Sequence, residues 1–272
     1  LLCLISSPRV SRVSINVPSS RTIYMLYLGR VEVKNASILA FEQVQSTLGA
    51  RYLRPVQFHQ PVSIEGHSLL SLRDIHMTFN ADVTDGYLDA IYVISSFSIF
   101  GESIFNVGNV SVLLGEFPVH ISTRLVLWTG AIVTRENSTF AFVGNLVDTT
   151  APGPTRATAL ALFGGSIGIE VAQSSRFLIA DNTAKFTGNS SFTTAASAVL
   201  KLLSFSAKFM TITDASILEV NNNSLTGVLV DDNVVQIEGI GFYKNTITIA
   251  RQSRLVLGSN AVLVDCSAGG CR

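Results

Sequence analysis

The stretch Met210-Thr-Ile-Thr-Asp-Ala-Ser216-Ile-Leu-Glu-Val-Asn-Asn-Asn223 holds two apolar pairs, Met210/Ile212 and Leu218/Val220, on either side of a serine. Apolar residues that alternate with others mark a strand with one buried face. A helix would scatter the two pairs around its circumference, because its side chains repeat every 3.6 residues. The intervening Thr-Asp-Ala is polar or small and suits a corner. The unit is therefore two short strands meeting at a turn.

The unit recurs, and a recurring unit outranks any other feature in assigning a fold. Aligning Ser37, Ser68, Ser103, Ser138, Ser175, Ser216 and Ser253 gives spacings of 31, 35, 35, 37, 41 and 37 residues. The positions six and four before each serine, and two and four after it, are apolar in every unit except at Thr134. Representative sets are Val31/Val33 with Leu39/Phe41, Phe97/Ile99 with Phe105/Val107, and Ile169/Val171 with Phe177/Ile179. Seven residues after the serine stands a second column, Asn145, Asn182, Asn223 and Asn260, and the first three units depart from it. Val44 and Ile75 fill the slot in two of them, and Asn109 sits one residue early in the third. Asparagine tolerates the left-handed backbone of a corner, and stacked asparagines can form an amide ladder.

Short strands and corners at a fixed period describe a β-solenoid. The expected fold is all-β: a right-handed parallel β-helix of the pectin-lyase-like type, one domain over 1–272, with a weaker repeat in 1–30. Fainter apolar pairs, such as Val228/Val230 and Val235/Ile237, suggest two coils in each period, about a dozen coils in all. Insertions at 146–159, 187–197 and 264–272 follow the asparagine column at a similar remove, so they should project from one side, the natural binding face.

Composition agrees with a packed repeat. Hydrophobic residues make up 47% of the chain and charged residues 14%, which excludes disorder. The most apolar segment, 90–115, is interrupted by Glu102, Asn106 and Asn109 and alternates, so it reads as strands and not as a membrane span. Lys and Arg equal Asp and Glu at 19 each, with no basic cluster, which argues against a nucleic-acid partner. The chain opens on Leu1 and closes on Arg272, and both ends read as cuts through a longer protein.

Five glycosylation sequons begin at Asn35, Asn109, Asn137, Asn189 and Asn222. Cys266 and Cys271 flank a Ser-Ala-Gly-Gly loop and are a candidate disulfide pair, conditional on an oxidising compartment, while Cys3 has no partner in view. The scattered histidines and the absence of Cys-x-x-Cys give no zinc pattern. Asn80, Asp82, Asp85 and Asp89 form an acidic cluster that matches no calcium loop, and a solvated loop is the expected reading. Asp231-Asp232 resembles the adjacent aspartates of pectin-type hydrolases, and Gly66-His67 half of their second element. The two lie far apart and in the wrong order, and sugar hydrolysis needs paired carboxylates across the scissile bond. No catalytic, cofactor or metal residue is assigned. Trp128 is expected in the core or at a corner.

The strings Ala215-Ser-Ile-Leu-Glu-Val-Asn-Asn-Asn-Ser-Leu-Thr-Gly227 and Ser253-Arg-Leu-Val-Leu-Gly-Ser-Asn260 resemble the dispersed gene family surface proteins of trypanosomes. The closing Val264-Asp-Cys-Ser-Ala-Gly-Gly-Cys271 does so too, and the likeness is strongest from Asn137 onward. The resemblance implies a β-helix ectodomain of a large, membrane-anchored glycoprotein on the cell surface, with an adhesive role and no catalytic residues. The expected function is thus a structural or adhesive segment, secreted or on the outer face of the plasma membrane. It would present loops to host glycans or extracellular-matrix proteins without a cofactor. The alternative is a carbohydrate-active β-helix enzyme.

Overall fold

A computed structural model of the chain describes residues 9–23, 25–79, 86–114, 121–149, 155–164, 168–188, 198–229, 235–243 and 246–265. Among these residues every regular element is a strand, and the strand pairings are parallel. The apolar pair before each serine forms a three- or four-residue strand. These seven strands, from Val31–Val33 to Thr246–Ile249, stack in chain order into one sheet. The other nineteen strands are joined by pairing into a second sheet. The molecule is a β-solenoid, and its core is the apolar column that the repeat defines.

The period holds one coil, not two. Phe105 pairs with Phe140, Phe140 with Phe177, and Phe177 with Leu218, so neighbouring coils lie one whole period apart in sequence. The faint second set of apolar pairs belongs to the far side of the same coil. There the strands Gly86–Val93, Ile121–Trp128, Thr155–Gly164 and Ala198–Ser206 stack on one another. These strands turn two consecutive residues inward, Ala90/Ile91, Leu125/Val126, Leu160/Ala161 and Leu202/Leu203, all buried. The strict alternation that identifies a strand is lost at that bend.

Like side chains stack along the axis. Phe105, Phe140 and Phe177 form one aromatic column, with Phe140 and Phe177 parallel at 4.2 Å between centroids. Trp128, Phe163, Phe205 and Phe242 form another. Trp128 is buried within the second and lies edge-on to Phe97 and Phe140, which makes it a core residue.

Two corners carry the backbone strain. Among the described residues, eighteen non-glycine residues and three glycines have positive φ, and all of them fall at three positions of the repeat. Two are the residues just before the serine, as in Glu136/Asn137 and Gln173/Ser174, and the third directly precedes the asparagine slot, as in Gly144 and Asp181. A left-handed conformation is costly for a residue with a Cβ. Here it is held by stacking, because each corner bonds to the next: Glu102 N–H donates to Glu136 O at 2.8 Å and Asn137 N–H to Gln173 O at 2.9 Å.

Candidate functional site

Each repeat column has a physical role. The serine hydroxyl accepts the backbone N–H of the preceding coil's serine, at 3.1–3.2 Å from Ser37 through Ser253. The asparagines form the expected amide ladder. Asn145 Nδ2 donates to Asn182 Oδ1, Asn182 Nδ2 to Asn223 Oδ1, and Asn223 Nδ2 to Asn260 Oδ1, each at 2.8 Å. Each Oδ1 also accepts a corner N–H from the coil before, beginning with Val110 N–H to Asn145 at 3.0 Å. These side chains hold neighbouring coils together and serve as scaffold.

The other sequence candidates separate by position. Asn35 and Asn137 sit exposed at the serine corner, and Asn109 and Asn222 sit exposed just before the asparagine slot. Asn109 and Asn222 bond across coils to Asp74 at 2.6 Å and to Asp181 at 3.0 Å. Asn189, Cys3, Cys266, Cys271, Asn80, Asp82, Asp85 and Asp231-Asp232 lie outside the described residues. His67 is an exposed corner residue 3.3 Å from Glu102. Among the described residues, no three His, Cys, Asp or Glu side chains converge on a metal-sized site, and no helix is long and apolar enough to cross a membrane.

Asp89 does not belong to a solvated loop. It is fully buried, paired through Oδ1 with Arg124 Nε at 2.6 Å and through Oδ2 with Arg54 Nε at 3.3 Å. The two arginines come from the coils on either side, and their side chains remain about a quarter exposed, at 25% and 21%. The Arg54 guanidinium also lies over the rings of Tyr92 at 3.9 Å and Tyr87 at 4.6 Å. Burial raises the Asp89 carboxyl above the ordinary aspartate range, and this outweighs the opposing pull of Arg124 and Arg54.

This trio is part of a longer column. One residue per coil directly precedes the two inward residues of the bend. In register these are Asp89, Arg124, Ala159, Lys201 and Glu238, with Arg54 in the coil before. Lys201 pairs with Glu238 at 3.0 Å and its ammonium stands 5.0 Å from the Tyr243 ring centre. The signal was in the sequence as Arg54-Pro-Val-Gln-Phe, Asp89-Ala-Ile-Tyr-Val, Arg124-Leu-Val-Leu-Trp, Lys201-Leu-Leu-Ser-Phe and Glu238-Gly-Ile-Gly-Phe. An alignment anchored on the serine corner misses it, because insertions between corner and bend vary in length.

In comparisons with known proteins, no family model, no curated protein and no solved structure matches this chain, so its function is argued from the solenoid and its charged column alone.

Proposed function

We propose that the chain is a structural, adhesive segment of a large surface protein: a stiff, right-handed β-helix of the pectin-lyase-like type that presents loops to host glycans or matrix proteins. The observation that carries this reading is the phase of the connecting segments. Strands ending at Phe79, Leu114, Thr149, Gly188 and Leu229 stand within about two residues of equivalent places in successive coils, as do those beginning at Gly86, Ile121, Thr155, Ala198 and Val235. The described strand ends that flank 80–85, 115–120, 150–154, 189–197 and 230–234 therefore line up along a single flank of the solenoid. A scaffold that holds variable segments in a row is suited to recognition by several weak contacts at once.

The exposed corners at Asn35 and Asn137 favour the same reading, since a glycan there would not disturb a ladder. So does the likeness of 215–227 to trypanosome dispersed gene family surface proteins. The right hand follows from the general handedness of parallel crossovers.

The test is binding of the purified segment to cell surfaces and to matrix proteins, beside a variant in which 189–197 and 230–234 are each replaced by a short turn. Binding that falls with loop removal supports the proposal. Binding of neither cells nor matrix sinks it. New reducing ends on a glycan panel, lost in Asp231→Ala, would move the protein to the carbohydrate-active alternative.

A further inference from the structure

We infer that the charged column is a track for a linear acidic polysaccharide lying along the solenoid axis, with one carboxylate or sulfate on every second sugar; this rests on the adhesive reading and names its ligand. The argument is one of spacing. Arg54, Arg124 and Lys201 occupy alternate coils, with Asp89, Ala159 and Glu238 in the coils between and beyond. Adjacent coils are ~4.8 Å apart, so successive cations repeat at ~9.5 Å. That step is about the length of a disaccharide in an extended β-linked chain.

The arginines are held ready for such a ligand. Asp89 engages each through Nε, so the carboxylate fixes the guanidinium planes while the side chains stay partly open to solvent. A guanidinium held in place by one carboxylate retains its terminal N–H groups for a second anion, and it matches carboxylate and sulfate geometry better than an ammonium does. Tyr92 backs Arg54, and Tyr243 lies beside Lys201.

The spacing supplies the selectivity. A polymer charged on alternate units sets one anion against each cation, whereas on a polymer charged on every unit, such as a nucleic acid, half of the anions would lie over coils that offer no cation.

Hyaluronan decasaccharide, a uronate alternating with a neutral sugar, is the probe, with a chitin oligomer as its uncharged counterpart. Binding is followed by calorimetry at low and at physiological salt. The wild-type protein is expected to bind hyaluronan in a salt-dependent way and to ignore chitin. Lys201→Gln and Arg124→Lys should each weaken binding about ten-fold, the cost of losing one charge-assisted contact. Arg124→Lys keeps a cation beside Asp89, and thermal melts confirm that both variants fold. Failure of the wild type to bind hyaluronan, equal binding of chitin, or unchanged binding in both variants overturns the inference. If cell or matrix adhesion survives that result, the adhesive reading stands without the column. If adhesion is absent as well, both fall.

Discussion

Asn182 makes four side-chain hydrogen bonds in a fully buried corner: it accepts from Asn145 N–H and Nδ2, and donates to Phe142 O and Asn223 Oδ1. Truncation would strand Asn145 and Phe142 groups away from water, at about 1–3 kcal/mol for each. Asn182→Ala should therefore cost about 4 kcal/mol in urea unfolding, whereas Asn260→Ala, on the half-buried last rung, should cost about half as much. Equal losses at both sites would mean that rungs contribute independently of burial. The asparagine column was legible because the residue type names its chemistry. The serine column was equally regular but mute: the donor it serves is the backbone N–H of another coil, which a sequence does not display. The left-handed corners were harder still. Gly66, Gly101 and Gly144 hint at them, but Glu102, Gln173 and Arg251 adopt the same conformation because their neighbours in the stack impose it.

Asp89 is the residue whose effect depends most on its element. Its strand bends, turns Ala90 and Ile91 inward, and leaves the carboxyl buried between two coils. The fold raises its pKa, so the protonated form is bound more tightly by the native state than by the unfolded chain. The stabilising contribution is thus complete below the ordinary aspartate range and is lost as pH rises through the raised folded-state value. Urea midpoints measured across that interval should decline more steeply for the wild type than for Asp89→Asn. Parallel profiles would show that the arginines fully offset the burial. At this scale the sequence revealed the strands flanking each serine almost residue for residue. It misassigned the bend, reading it as part of a second coil, because two inward residues in succession break the alternation that announces a strand.

At the scale of the whole 272-residue chain, the last described coil presents strand edges. Among the described residues, Thr246–Ile249, Arg254–Gly258 and Ala261–Asp265 each pair on one side only, and Ile249, Leu257 and Leu263 are 46%, 50% and 70% exposed. Ser253 N–H turns back to Ala250 O at 3.3 Å. Open, apolar strand edges recruit other strands. The 272-residue chain should associate in a concentration-dependent way in sedimentation experiments, and Leu263→Lys should shift it toward monomer. A monodisperse wild type at high concentration would show that the edge is protected.

The offset of one period between neighbouring coils also has a bearing on inheritance. Each coil reads only the coil before it and the coil after it, so the molecule measures its own length in whole units. Excising residues 139–175 would join Ser138 to Arg176, which already follows a corner serine, and bring every rung back into phase. Such a shortened chain should fold and melt cooperatively, while removal of half that span should leave an insoluble product. A gene built this way can lengthen or shorten by unequal exchange between its own repeats, and its reach from any point of attachment becomes a trait that changes in discrete steps.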